Sequence, residues 1–239
     1  MPLLPTGPAY CRPEAYAHFE KVLEGRELDE PAVADKLQWL FEAAWALARH
    51  DMPQADFAAG ETAVENLAEA VRKRIRSTGF EARIAHLHDL LFEVIGLSGN
   101  TDDYYNPSNS YLPAVLQSRQ GIPITLALVY GRVAAELELE VYGVNAPGHF
   151  LVEVVSPDEG SMYVDPFYGG GIVTSAEALA RIAQATGRSE VAVPGCLVRA
   201  SARQWLSRML FNLQAVFAAT GRERDVYAMQ ELQDCLGRF

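Results

Sequence analysis

Three stretches in the middle of the chain decide the predicted fold: residues 106–134 (NPSNSYLPAVLQSRQGIPITLALVYGRVA), 143–154 (GVNAPGHFLVEV) and 163–171 (YVDPFYGGG). The first contains a segment, residues 123–138, that is apolar on nearly every face, which predicts a buried helix. The other two change to a period of two and are rich in β-branched and aromatic residues, which predicts antiparallel strands. We therefore expect a helix packed on a small antiparallel sheet.

The regions on both sides of this centre are predicted to be helical, because apolar residues recur every three or four positions. Helices are predicted at residues 14–24, 31–50, 61–77, 81–95, 111–119, 175–185, 203–220 and 223–236, and strands at 141–144, 149–155 and 162–164. Asp29 is expected to cap the second helix. The last two helices should form a hairpin around Gly221.

The expected fold class is α+β, in three regions. Residues 1–98 form an N-terminal helical region, residues 99–195 the helix-and-sheet core, and residues 196–239 the helical hairpin. These regions could be separate domains or one compact unit, and the sequence leaves both open.

Composition and charge exclude several classes of function. With 239 residues, of which 49% are hydrophobic, the chain can bury a large core. A formal net charge of -11 argues against nucleic acid as a partner, because that binding depends on Lys and Arg neutralising phosphates. No apolar run approaches the ~20 residues of a membrane span, and the first residues lack the layout of a secretory signal. A soluble cytoplasmic protein with no membrane partner is expected.

Metal and disulfide sites are not indicated by the sequence. Cys11, Cys196 and Cys235 are widely separated and show no ligand spacing. His86 and His88 are two apart on a predicted helix and should point in different directions. The glycines of the FYGGG sequence are typical of a turn, because no GK[ST] follows them to bind a phosphate. We predict no metal and no cofactor.

The best candidates for a functional site are His149, at the start of one predicted strand, and Asp165, at the end of the next. Adjacent antiparallel strands could bring the two side chains within hydrogen-bonding distance. In thiol acyl transfer an imidazole moves protons for a thiolate at a helix N-terminus, and a third polar group orients that imidazole. The order helix, strand with histidine, strand with aspartate is the order that this chemistry requires.

The motifs NPxNS, RxGIPI, PGHF and DPF occur in this order over about the middle third of the chain, which resembles the transglutaminase-like superfamily and specifically its SirB N-terminal-type branch. The flanking helices resemble the same branch, and residues 208–231 (RMLFNLQAVFAATGRERDVYAMQE) are similar to a single tetratricopeptide-like hairpin. The resemblance implies a papain-type core of a buried helix on an antiparallel sheet.

The resemblance also implies that the nucleophile is missing. Enzymes of this superfamily place their cysteine in a segment similar to RxGxCxxxA, and here Pro123 occupies its position. Proline supplies no thiol, hydroxyl or amine, but it is a good first residue for a helix. Thr125, further into the helix, is an alternative nucleophile, although a local hydrogen bond at the helix end is the expected role. Cys196 could approach only if Pro194 and Gly195 turn the chain back.

A second polar cluster precedes the buried helix. Asn106, Asn109 and Ser110 could contact a ligand, but the expected role of such residues is turn and cap chemistry. Tyr105, with its neighbours Tyr104 and Tyr111, could line a cleft or pack beneath a loop. Together with Pro123, these residues are the candidate binding positions.

Two hypotheses for function follow. In the first, this is a degenerate transglutaminase-like domain without a cysteine nucleophile that binds a protein or peptide and acts as a non-catalytic regulator or scaffold. In the second, it is a hydrolase or amide-transfer enzyme in which His149 and Asp165 activate water or Thr125. The second would need an oxyanion site that the sequence does not locate. Thiol transglutaminase or protease activity is not expected under either.

Overall fold

The computed structural model describes residues 7–77, 79–158 and 160–239. The α-helices are α1 (Pro13–Leu23), α2 (Ala34–Ala48), α3 (Phe57–Arg72), α4 (Phe80–His88), α5 (Leu112–Ser118), α6 (Pro123–Glu136), α7 (Ser175–Thr186), α8 (Ala202–Ala219) and α9 (Glu223–Leu236). The strands are β1 (Ser98–Gly99), β2 (Gln120–Gly121), β3 (Val141–Val144), β4 (Leu151–Ser156), β5 (Gly160–Asp165) and β6 (Gly171–Val173). The predicted α+β class is confirmed.

The main sheet is antiparallel, in the order β3-β4-β5-β6. Along β3 and β4, Val141 pairs with Val154 and Val144 with Leu151; between β4 and β5, Val152 pairs with Val164. The outer edge of β3 is covered by the segment before α8, where the amide of Ala200 donates to the carbonyl of Gly143 (2.7 Å). At the other edge, β6 pairs only with β5 among the described residues.

Each face of the sheet is covered by a helix, because neighbouring residues of a strand point to opposite faces. Val152 and Val154 join the main core with α6, while Leu151 joins Val173 and Ala178 of α7 in a smaller cluster. Every residue of α6 from Pro123 to Ala134 is buried. The apolar faces predicted for α6 are therefore internal on all sides.

The flanking helices pack onto the same core. Helix α2 contacts α1, α6 and α8, and buried residues of α1 to α6, α8 and α9 belong to one continuous cluster. The two terminal helices, α8 and α9, form the predicted hairpin, with Leu206, Leu213 and Leu232 fully buried. The division of the chain into domains stays a prediction.

Apart from shifts of a few residues at the ends of elements, local structure differs from the sequence-based predictions in four places. The predicted helix 81–95 ends as an α-helix at His88 and continues as a π-helix, Asp89–Val94. Strand β6 occupies part of the glycine-rich stretch that was expected to form only a turn, and the short parallel pair of β1 and β2 was not predicted. The cap predicted at Asp29 is wrong: α2 begins at Ala34, and the carboxylate of Asp29 instead accepts hydrogen bonds from Arg203.

Candidate functional site

His149 follows a turn at Pro147 and Gly148 and lies just before β4, which begins at Leu151, two residues later than predicted. Gly148 makes this turn possible. Its φ is +67°, and a Cβ there would lie 2.9 Å from the side chain of Thr186, so both conformation and space require glycine. The Nε2 atom of His149 is 2.8 Å from Oδ2 of Asp165, the last residue of β5. The hydrogen bond expected from the strand order is present.

Asp165 is completely buried and has four hydrogen-bonding partners. Oδ2 accepts from His149 and from Arg181 of α7, and Oδ1 accepts from the amides of Phe167 (3.2 Å) and Tyr168 (3.4 Å). Burial alone would raise the pKa of Asp165, but the hydrogen bonds and charges of His149 and Arg181 outweigh it and hold the pKa below its usual value. The carboxylate is thus stabilised in its ionised form.

The other ring nitrogen of His149, Nδ1, has no partner among the described residues. The side chain is buried, with 5% of its surface exposed, yet Nδ1 is not among the polar atoms that are both sealed from solvent and unpaired. The ionised Asp165 carboxylate can only accept a hydrogen bond, so Nε2 carries the proton, and this leaves Nδ1 as the free acceptor of a neutral ring. The arrangement can therefore orient an imidazole that takes up a proton at Nδ1.

Aromatic rings surround His149. The ring of Phe167 lies 6.3 Å from the imidazole and that of Tyr168 5.9 Å from it; Tyr104 contacts Phe167 at 6.0 Å. Phe167 also covers Gly99, where a Cβ would lie 2.5 Å from the ring. Because Gly99 pairs with Gly121, this contact connects the histidine to the segment that begins α6.

The start of α6 is built by Pro123 and Thr125. Pro123 is the first helical residue and is buried. The hydroxyl of Thr125 is fully buried and donates to the carbonyl oxygens of Asn109 (2.7 Å) and Ile122 (3.0 Å). This geometry favours a helix-terminus role for Thr125 over that of a nucleophile, since its single proton is already bonded to the backbone.

The candidate binding residues before α5 divide into two groups. Asn109 is buried and donates to the carbonyls of Asp103 (2.7 Å) and Tyr104 (3.1 Å), and Asn106 caps a short 3-10 helix by accepting from the amide of Ser108 (2.9 Å). Both side chains therefore hold the loop in place. Ser110 is buried without a side-chain partner among the described residues, and Tyr105 is 66% exposed.

None of the three cysteines is hydrogen-bonded to His149 in the part of the chain that the structure describes. Cys11, just before α1, and Cys235, within α9, are buried, and burial together with the charge of Glu231 raises the pKa of Cys11 to about 12. Such a thiol stays protonated at neutral pH and is a poor nucleophile. Cys196 lies in a 3-10 helix, Pro194–Cys196, and is partly exposed.

Two arginines near the histidine were not found from the sequence. Arg181 binds Asp165, and its guanidinium lies 5.3 Å from the ring of Tyr168. Arg208 of α8 donates to Asn145 and to the carbonyl of Ala146, which precedes the His149 turn. Arg181 lies on α7 and Arg208 on α8, and neither belongs to a motif. No local sequence signal therefore marked either residue as part of the site.

A second histidine–carboxylate cluster lies at the end of α2. His50, Asp51 and Asp225 place their donor atoms within 4.8 Å of one another, a spacing compatible with metal ligation. However, Arg222 donates to both carboxylates, and Tyr111 donates to Asp51 (3.0 Å). These donors occupy the oxygens that an ion would need, so the cluster is an ion-pair network.

The family model described as the transglutaminase-like superfamily matches residues 58–211, which include all of the core and α3 through part of α8. The chain belongs to the transglutaminase-like superfamily. No solved structure matches it, and no described helix of this transglutaminase-like chain has the length and apolar character needed to cross a bilayer.

This transglutaminase-like protein is similar to UPF0162 proteins. The relative from Xylella fastidiosa is 35% identical over 194 residues, which cover 80% of this chain and 69% of that protein. The one from Pseudomonas aeruginosa is 33% identical over 187 residues, covering 76% and 66%. Human F-box only protein 21 is 30% identical over 152 residues, which cover 61% of this chain but 23% of that protein.

Proposed function

We propose that this chain is a transglutaminase-like domain without a thiol nucleophile, of the SirB N-terminal type, that binds a protein or peptide at the surface around His149. The observation that carries the proposal is Pro123. It begins the buried helix at the position where the motif of the superfamily has its cysteine, and no described cysteine is hydrogen-bonded to His149. In this proposal the orienting pair His149 and Asp165 is retained and the attacking group is absent.

The surface around the histidine supports binding. Tyr105 and Tyr168 are 66% and 59% exposed, and the ring of Tyr168 contacts both His149 and Phe167. Exposed tyrosines supply contact area at a low cost in conformational entropy, and they are enriched in binding interfaces. We infer that these rings form the rim of a peptide-binding surface, with α8 of the terminal tetratricopeptide-like hairpin as a further contact region.

Binding can be tested with an immobilised library of short peptides. We expect the wild-type protein to bind a subset, and Tyr105→Ser and Tyr168→Ser each to weaken that binding about tenfold, since one well-packed tyrosine contributes about 1–2 kcal/mol. Tyr227→Ser is the matched control, because Tyr227 is 53% exposed on α9 and contacts Tyr10 rather than the site. Equal loss in all three variants, or no binding by the wild type, would refute the proposal.

A second candidate, a hydrolase or amide-transfer enzyme, is favoured by one observation: the Nδ1 atom of His149 has no partner among the described residues while Nε2 is held by Asp165. Such a ring can remove a proton from water. The discriminating measurement is ammonia release from glutamine-containing peptides. Turnover that disappears in His149→Ala would establish the enzyme; identical background rates in both proteins would leave the binding role.

A further inference from the structure

Arg208 is anchored to the turn that carries His149. Its Nη1 atom donates to Oδ1 of Asn145 (2.5 Å) and to the carbonyl oxygen of Ala146 (2.6 Å). The same carbonyl accepts the amide of His149 (3.3 Å). The guanidinium and the histidine backbone are therefore bonded to one oxygen atom, and the cation lies beside the candidate site.

The opposite edge of this guanidinium is free. Nε and Nη2 of Arg208 have no partner among the described residues, and neither is one of the nitrogen atoms that are sealed from solvent without a partner. No described carboxylate forms an ion pair with Arg208, although its side chain is half-buried. A guanidinium in this state offers two parallel N–H donors.

In two other arginines of the chain, the Nε and Nη2 edge of the guanidinium binds a carboxylate. Arg199 donates from Nε and Nη2 to the carboxylate of Glu153 (2.7 and 3.1 Å). Arg203 donates from the same two atoms to Asp29 (2.6 and 3.0 Å). Both are bidentate pairs with a carboxylate, whose geometry matches the fork of the guanidinium.

The electrostatics of Arg208 differ from those of these two residues. Hydrogen bonding to Glu153 and to Asp29 raises the pKa of Arg199 and of Arg203. Burial lowers the pKa of Arg208, and the neighbouring Tyr104 offsets this only in part. The cation is thus partly desolvated without a counter-charge, a cost that an incoming anion would relieve.

Arg208 belongs to the same surface as the aromatic rings. Burial raises the pKa of the Tyr104 hydroxyl, and the positive charge of Arg208 acts against this rise, so the two groups are close. Tyr104 in turn contacts Phe167, which contacts His149. Since 40% of the Tyr104 surface is exposed, a ligand held against it can reach the guanidinium.

We propose that the Nε and Nη2 atoms of Arg208 bind a carboxylate of a peptide that is held beside His149. The carboxylate is that of an acidic side chain or of the peptide C-terminus. This inference rests on the proposed binding function and adds the chemical group that the site selects. Arg208 is a specificity-determining residue in this role, with Tyr104 and Tyr168 contacting the rest of the peptide.

The test uses three small probes and arginine side-chain NMR on the full chain. N-acetylglutamate 1-amide presents a side-chain carboxylate, N-acetylglycine presents a C-terminal one, and N-acetylglutamine amide presents neither. We expect a saturable shift of the Arg208 Nε–H resonance with one or both carboxylates and none with the neutral amide. The probe that shifts it identifies the source of the carboxylate.

Variants separate binding by Arg208 from effects on folding. Arg208→Lys should weaken carboxylate binding about tenfold or more, because the bidentate geometry is lost. Asn145→Asp keeps Arg208 but places a carboxylate at its Nη1 atom, and this negative charge beside the guanidinium should also weaken the binding of a carboxylate probe. Arg224→Met is the matched control, since Arg224 is exposed and has no described ion pair; it should leave binding unchanged.

The outcomes distinguish this inference from the function on which it rests. If neutral and acidic probes bind equally and Tyr168→Ser weakens both, peptide binding stands and the role of Arg208 is refuted. If Arg224→Met reduces binding as much as Arg208→Lys, the attraction is nonspecific and the inference also falls. If neither the probes nor the peptide library bind, both proposals are refuted.

Discussion

In two histidine–aspartate pairs of this protein, His50–Asp225 and His149–Asp165, Nε2 of the histidine contacts the aspartate in the same way, but the Nδ1 atoms have different surroundings. His50 and His149 are buried to nearly the same degree, with 6% and 5% exposed, and each Nε2 lies 2.8 Å from an aspartate oxygen. An arginine binds the aspartate in both. The Nδ1 atom of His50 accepts the amide of Arg12 (3.3 Å), whereas Nδ1 of His149 has no described partner.

This difference separates a structural pair from a candidate site. His50 uses both ring nitrogens to connect α1, α2 and α9, so nothing remains for a ligand. His149 uses one to fix its orientation and leaves the other available. The hydrogen-bonded pair alone does not indicate function; the state of the second nitrogen does.

The largest expected effect comes from removing each aspartate. Asp165→Ala should lower the free energy of unfolding by about 3–5 kcal/mol, because it leaves buried partners of a carboxylate unpaired. Asp225→Ala should cost only about 1–2 kcal/mol, since its side chain is 23% exposed and Arg222 keeps Asp51. Urea unfolding of both variants measures the difference, and equal losses would show that the two pairs are equivalent.

At acid pH the wild type and Asp165→Asn should approach the same free energy of unfolding. The folded pKa of Asp165 lies below its usual value, so its stabilisation is complete above the unfolded pKa of about 3.9 and is lost as the pH falls through the folded pKa. The difference in unfolding free energy should therefore shrink below about pH 4. A difference that grows on acidification would mean that the carboxyl group is protonated in the native protein.

A third histidine, His88, contacts a tyrosine instead of an aspartate, and its stability effect should have a different pH dependence. Burial lowers the pKa of His88 to about 4, and its Nε2 lies 3.0 Å from the hydroxyl of Tyr130. Between pH 6.5 and 4 the unfolded chain binds the extra proton, so stability is full above about 6.5 and falls by about 2–3 kcal/mol toward pH 4.

His88→Gln should flatten this dependence while retaining a hydrogen bond to Tyr130. Unfolding free energies measured across that pH range provide the test, with His86→Gln on the same helix as the control. If the slope is the same in the wild type and His88→Gln, the buried histidine does not account for it.

The ring substitutions should give smaller changes. His50→Gln should cost about 1–2 kcal/mol through the lost contact to the Arg12 amide, and His149→Gln less than about 1 kcal/mol, because glutamine can still donate to Asp165. Thermal unfolding of the two variants ranks them. A greater loss for His149→Gln would indicate that its second nitrogen has a structural partner after all.

The smallest effect is a difference in chemical reactivity without a change in stability. Diethyl pyrocarbonate attacks unprotonated imidazole nitrogen, so His149 should be modified several times faster than His50, whose two nitrogens are bonded. Mass spectrometry of peptides from briefly treated protein gives the two rates. Equal protection would contradict an available Nδ1.

The elements that could be predicted from the sequence are those whose residues carry their own signal. β3 and α9 have the predicted bounds, because alternation and helical periodicity are local. The π-helix Asp89–Val94 could not be predicted, since apolar spacing does not report a change of hydrogen-bond register. Strand β6 could not be predicted because it begins at the last of three glycines, which favour a turn. The cap expected at Asp29 is wrong because α2 begins at Ala34, and Asp29 pairs with Arg203, 174 residues away, a contact that has no local signal.

The residues of the candidate site also divide into those that the sequence predicts and those that it does not. His149 and Asp165 could be paired from strand order, because neighbouring antiparallel strands bring their ends together. Arg181 and Arg208 could not, since each reaches the site from a helix whose position depends on the whole core. The catalytic or binding roles of His149, Asp165, Thr125, Asn106, Asn109, Ser110, Tyr105 and Pro123 remain predictions.

The unequal edges of the sheet restrict how it could be extended. Residues 198–200 occupy the hydrogen-bonding groups beside β3, so a strand from another molecule has no place to add there. The β6 edge offers only three residues, Gly171–Val173, before the α7 cap turns the chain away. So short a strand can form few hydrogen bonds with a strand of another molecule. The protein is therefore protected against edge-to-edge aggregation, although Ile172 is exposed.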